Sequence, residues 1–122
     1  MQLTRDQAAS HIIRAWEPGR LRIGERWLTG HVIVGAERII ENWAVTSPAA
    51  LTVDDLAPAL ELAPTIVIVG TGNERLLPDI EIMAALGARA IGVEIMTTPA
   101  ACRTFNVLLQ EERRVVAALF NA

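Results

Sequence analysis

Along the chain, the arrangement of apolar and polar positions changes character near Pro64. Before it, His11 to Trp16, Arg20 to Ile23 and Arg26 to Val34 are rich in β-branched and aromatic residues and are separated by Glu17-Pro18-Gly19 and Gly24-Glu25. Such runs between turn residues predict an antiparallel β meander. Leu21 and Ile23 alternate with Arg20 and Arg22, so one face of the meander turns inward and the other faces water. Ile39-Ile40 and Trp43 to Val45 read as short extended pieces, and Ser47-Pro48 as a turn. Thr52 is placed to cap a helix reaching Leu60, with Asp54 and Asp55 putting negative charge in its first turn.

After Pro64 the pattern is strand, helix, strand, helix, strand: Thr65 to Val69, Leu77 to Leu86, Ala90 to Met96, Pro99 to Glu111 and Val115 to Phe120, with Gly87 ending the first of these helices. The first two strands are mostly apolar and joined by a helix, the signature of parallel neighbours buried on both faces. The last follows Glu111-Glu112-Arg113-Arg114 closely, which suggests an antiparallel return at an edge. The expected fold is α/β, a single domain over residues 1–122 with an N-terminal antiparallel meander.

A chain of 122 residues builds one core and buries roughly two-thirds of its unfolded surface. Its 52% hydrophobic content is high, but the apolar runs are strand-length and fall short of the ~20 residues a membrane helix needs. A well-filled interior is expected, without membrane insertion. The segment Met1 to Asp6 lacks the basic-then-apolar plan of a secretory leader, and Cys102 is the only cysteine. Both point to a cytoplasmic location.

All 11 basic residues are arginine, and tyrosine is absent. A Schiff-base amine, a phosphate-loop lysine and a tyrosine acid are therefore excluded. The formal charge of -3 gives no pull toward nucleic acid. Arg14, Arg20, Arg22 and Arg26, interrupted by Glu17 and Glu25, read as the solvated face of a hairpin.

Parallel strands gather their C-terminal ends at one rim of a sheet, where open α/β folds bind ligands. Here that rim carries Gly70-Thr71-Gly72 and Met96-Thr97-Thr98. Thr98 as a helix cap and Pro99 at the first helical position would leave free N–H groups at a positive helix end, favouring a small anion. Arg103, one turn on, adds a charge-assisted contact. Gly70-x-Gly72 lacks the third glycine of a nucleotide fingerprint and is read as a tight turn.

Cys102 lies near the same helix end, where a thiol pKa can fall. On the helical wheel, however, Ala101, Cys102, Phe105, Leu108 and Leu109 share one face and Arg103, Asn106 and Gln110 the other, so a packed, inert thiol is expected. His11 and His31 lie far off in sequence, and no spaced ligand motif exists, so no Cys-His pair, metal or cofactor is expected. Glu94 interrupts an apolar strand and should be paired with Arg103 or Arg89, or lie where water reaches it. An isolated buried carboxyl there would instead be a candidate acid or base. Asn106 is read as satisfying a neighbouring loop or holding a ligand. Trp16, Trp27 and Trp43 read as core, unless two are exposed together as a contact patch.

Three stretches together carry a family resemblance: Ile66-Val67-Ile68-Val69-Gly70-Thr71-Gly72, Gly92-Val93-Glu94-Ile95-Met96, and Thr98-Pro99-Ala100-Ala101-Cys102-Arg103-Thr104-Phe105-Asn106-Val107-Leu108, followed by Val115 to Leu119. The chain resembles the domain of unknown function 498 family, which includes the mitochondrial complex I assembly factor 3 proteins. The resemblance is specific over Pro64 to Phe120 and looser through Ile23-Gly24-Glu25-Arg26-Trp27. It implies a three-layer α/β fold whose central mixed sheet has its last strand antiparallel to the others. It also implies no established enzymatic activity and, for the mitochondrial relatives, a helper role in respiratory complex assembly. Thr97 stands where relatives often carry aspartate, and Glu112 where glycine is common.

The leading reading is a non-enzymatic binding or assembly-helper protein with a protein partner, self-association being open and catalytic residues none. Its binding edge would comprise Gly70, Thr71, Gly72, Glu94, Thr97, Thr98, Cys102, Arg103 and Asn106. The rival is a small-molecule or anion binder, or an enzyme, using Cys102 as thiolate and Arg103 as clamp.

Overall fold

The computed structural model describes residues 11–121. The segment Met1 to Asp6, considered above for a leader, lies outside these residues. Strands β1 (Ile13–Glu17), β2 (Arg20–Ile23) and β3 (Arg26–Thr29) form the antiparallel meander. The single strand expected over Arg26 to Val34 is broken at Gly30, whose φ of 75° turns the chain. Val32–Val34 then enters a second sheet as β4, paired with β5 (Ile39–Ile40). Trp43 to Val45 forms no strand.

Thr52 does organise the next turn. Its hydroxyl accepts from Asp55 N at 3.2 Å while Asp55 Oδ2 accepts from Thr52 N at 2.9 Å. This reciprocal pair introduces a 3-10 turn, Asp54–Leu56, and the short helix α1 (Ala57–Leu60).

The C-terminal half supplies β6 (Ile66–Gly70), α2 (Ile80–Gly87), β7 (Gly92–Met96), α3 (Thr98–Gln110) and β8 (Val115–Leu119). Pro78 disfavours helix at Leu77, so α2 starts later than expected, with Asp79 as its cap accepting from Glu81 N at 3.0 Å.

The five-stranded sheet has the order β5-β4-β8-β6-β7. The mixed α/β class holds, but the orientation of its last strand is corrected. β8 runs parallel to β6 and antiparallel only to β4, and it lies in the middle of the sheet rather than at an edge. The reason is geometric. At ~1.5 Å per residue α3 itself spans about 20 Å and carries the chain back to the starting end of the strands. The turn at residues 111–114 only redirects the chain into β8. The unbroken apolar run of β8, every residue of it buried, marks a central strand.

Right-handed crossovers that step outward from β6 to β7 and then back across β6 to β8 put their helices on opposite faces. Ala101, Cys102, Phe105 and Leu109 of α3 pack with Ile68, Ala117 and Leu119 on one face, beneath the meander's Leu21 and Leu28. Ile82 and Leu86 of α2 pack with Val67, Val69, Val116, Trp43 and Leu56 on the other. The result is three layers with one core on each side of the sheet, two where chain length alone led to the expectation of one.

Helix α3 ends with Arg113 N donating to Leu108 O and Glu112 N to Leu109 O, both at 3.0 Å, a Schellman arrangement that requires a left-handed residue at Glu112. Its φ is 62°. Helix α2 closes in a related way through Ile91 N to Leu86 O, and its left-handed residue is Ala90, φ 59°, rather than Gly87.

Candidate functional site

The two loops expected to meet at the rim do meet. Thr98 N donates to Gly72 O at 2.9 Å, Gly72 N to Thr98 Oγ1 at 2.7 Å, and Thr71 N to Met96 O at 2.9 Å. Thr98 Oγ1 in turn donates to Phe120 O at 2.8 Å, and Phe120 N to Gly70 O at 2.9 Å. One buried hydroxyl thus joins the exits of three strands.

The glycines follow from this closure. A Cβ on Gly70 would lie 2.9 Å from Leu119 Cδ2 and 3.0 Å from Thr98 Cα, while Gly72 adopts a φ of 90°. Thr98 does not cap α3. Its side chain faces the sheet instead, and the N-cap is Thr97, which makes no side-chain cap bond. The Thr98 N–H is taken by Gly72, and Pro99 has none to give. The rim is therefore knitted shut by its own donors.

The other expected site residues separate. Thr71 Oγ1 accepts from Leu76 N at 3.2 Å and shapes the loop after β6. Glu94 makes none of the ion pairs found among the described residues, so the pairing with Arg103 or Arg89 is corrected. It lies exposed on β7, an edge strand, and water solvates its carboxylate. Asn106 is engaged by the backbone of Ile13, its Oδ1 accepting from Ile13 N at 2.8 Å and its Nδ2 donating to Ile13 O at 2.9 Å. This clamp fastens β1 to α3. Cys102 is only 5% exposed, and burial pushes its thiol up to about 12 against the weaker opposing pull of Arg103. At neutral pH it is a protonated core residue.

The tryptophans divide three ways. Trp43 is core, its Nε1 donating to Asp55 O at 2.8 Å and its ring 5.1 Å from that of Phe120. Trp27 is exposed under the Arg20 guanidinium, 3.9 Å from the ring centroid, and Trp16 is half-buried.

The most conspicuous surface lies elsewhere. Helix α2 buries Ile82 and Leu86 yet also exposes Ile80 (79%) and Met83 (46%), while Leu76 (41%) and Leu77 (68%) stand out from the loop before it. Ala84 and Gly87 complete an outward apolar stripe with Ile80 and Met83 at i, i+3, i+4 and i+7. That spacing was legible in the sequence. It escapes notice because Ile82 and Leu86 read as the only apolar face needed to pack the helix.

A three-layer α/β domain with a closed rim and an apolar outer helix face is the class of protein these features define. The chain belongs to the family described as "Protein of unknown function (DUF498/DUF598)", whose pattern matches residues 13–120. It is similar to NADH dehydrogenase [ubiquinone] 1 alpha subcomplex assembly factor 3 of Danio rerio, 31% identical over 119 residues, covering 96% of this chain and 68% of that protein. The assembly factor of the same name from Mus musculus is 42% identical over 84 residues, covering 66% of this chain but only 44% of the mouse protein. Among solved structures, the crystal structure of a Bordetella parapertussis protein superposes with a TM-score of 0.86 at 35% identity, covering 93% of this chain and 98% of that one.

Proposed function

We propose that this protein is a non-enzymatic assembly helper that holds a protein partner on the outer face of α2 and the loop before it. The observation that carries the reading is the exposed cluster of Leu76, Leu77, Ile80 and Met83. Exposed apolar patches of this kind mark interaction sites on soluble domains. The closed rim and the high thiol pKa of Cys102 support a role without chemistry. The names of the zebrafish and mouse relatives support a client among NADH dehydrogenase subunits. A cytoplasmic site of action is part of the same proposal.

The test is purification of the tagged chain from its own cells, as wild type and as the double variant Leu77→Glu/Ile80→Glu. NADH dehydrogenase subunits should co-purify with the wild type and fall by about tenfold or more with the variant, as for loss of an interface anchor. Both substitutions replace exposed side chains, so thermal unfolding should move little. Equal recovery by the variant, or a variant that alters only self-association, overturns the reading.

A further inference from the structure

We infer that the groove between β1 and α3 is a binding site for a small carboxylate or phosphate anion. The groove encloses about 300 Å³ and is lined on one wall by Ile13, Arg14 and Trp16 and on the other by Pro99, Cys102 and Arg103. It lies on the α3 side of the sheet, opposite the surface assigned to the client, and does not rest on that reading.

Three features point to an anion. First, guanidinium groups from two different elements, Arg14 and Arg103, border one concavity that no carboxylate among the described residues lines. Neither belongs to an ion pair among the described residues. A guanidinium gains most from a planar or tetrahedral oxyanion, which accepts two parallel N–H bonds. Second, Pro99 places the groove beside the first turn of the 13-residue helix α3, where the aligned peptide dipoles add positive potential. Third, Trp16 stands on the wall of the groove, and its Nε1–H has no acceptor among the described residues.

The walls are also held in place before any ligand arrives. Asn106 grips both backbone groups of Ile13, so β1 and α3 keep their separation and little ordering accompanies binding. The rim first suspected of binding an anion has its donors engaged internally; this groove, one step along the same helix, does not.

The indole N–H resonances of the three tryptophans test the inference on the whole chain. Trp43 is fixed by Asp55 and Trp27 sits on the meander under Arg20, so both serve as internal references. Inorganic phosphate and succinate are titrated separately at constant ionic strength, with chloride as control. The expected result is a saturable shift of the Trp16 resonance with one or both anions, the Trp43 resonance remaining still. Saturation by phosphate alone identifies a phosphoryl ligand, and by succinate alone a carboxylate. Arg14→Gln and Arg103→Gln should each weaken binding by about tenfold, the effect of losing one charge-assisted contact. Both arginines are exposed, so an unchanged Trp43 resonance verifies that the variants are folded. Shifts no larger than with chloride, or identical saturation in the arginine variants, overturn the proposal. Loss of client capture by Leu77→Glu/Ile80→Glu with unaltered anion binding would separate the two sites.

Discussion

Helices α2 and α3 cross the same sheet on opposite faces, yet one is finished on its outside and the other is not. Helix α3 directs Ala101, Cys102, Phe105 and Leu109 inward and presents Arg103 and Gln110 to water, while Asn106 grips the meander. Its first residue, Thr98, holds the rim. Helix α2 buries Ile82 and Leu86 but turns Ile80 and Met83 outward, where both stay exposed. The difference separates two uses of apolar surface. On the α3 side most of it is consumed in holding the molecule together, although Val107 stays exposed, whereas on the α2 side a cluster of apolar side chains stays exposed, the surface we propose for a partner.

Damage on the α3 side should therefore cost stability. The largest loss is expected for Thr98→Val, which leaves Gly72 N–H and Phe120 C=O buried without a partner. About 2–4 kcal/mol should disappear from the unfolding free energy in urea, while Thr98→Ser keeps most of it. Asn106→Ala comes next, at about 2 kcal/mol, since it frees both backbone groups of Ile13. Hydrogen exchange should show β1 losing protection before the five-stranded sheet, and unchanged exchange at Ile13 would refute the clamp.

Glu112→Gly should instead stabilise the chain by about 1 kcal/mol, because glycine holds a left-handed Schellman position without the Cβ clash. Ala90→Gly at the end of α2 should act in the same direction. A loss of stability in either would mean that the side chain contributes more than its backbone strain costs.

The smallest effect concerns His31, whose Nδ1 accepts from Asn121 N at 3.0 Å beside Phe120. Desolvation by burial holds its pKa below the usual 6.5. The unfolded chain therefore binds the proton more readily. The contribution of neutral His31 is fully present above the unfolded value and is lost as pH falls from there through the lowered folded value. Thermal unfolding of the wild type should lose this increment on acidification, and His31→Gln should lack it.

Much of this architecture was legible before the structure. Thr65 to Val69 reads as a buried parallel strand, Leu77 to Leu86 as a helix, whose start moves to Ile80, and the wheel of α3 assigns Cys102 to the core. What escaped the sequence depended on partners far along the chain. Nothing local reveals that Gly30 moves Val32–Val34 into another sheet, or that Thr98 reaches Phe120 instead of capping its own helix. Glu94 looked like a buried charge only while β7 was taken for a central strand.

The chain's own pattern determined its class, its helices and strands, and which side chains avoid water, because periodicity and turn chemistry act within a few residues. Tertiary structure alone decided the direction of β8, the closure of the rim and the bareness of α2. Strand order and hydrogen-bond partnership are set by which distant surfaces fit together, and that competition is invisible to any local stretch of sequence.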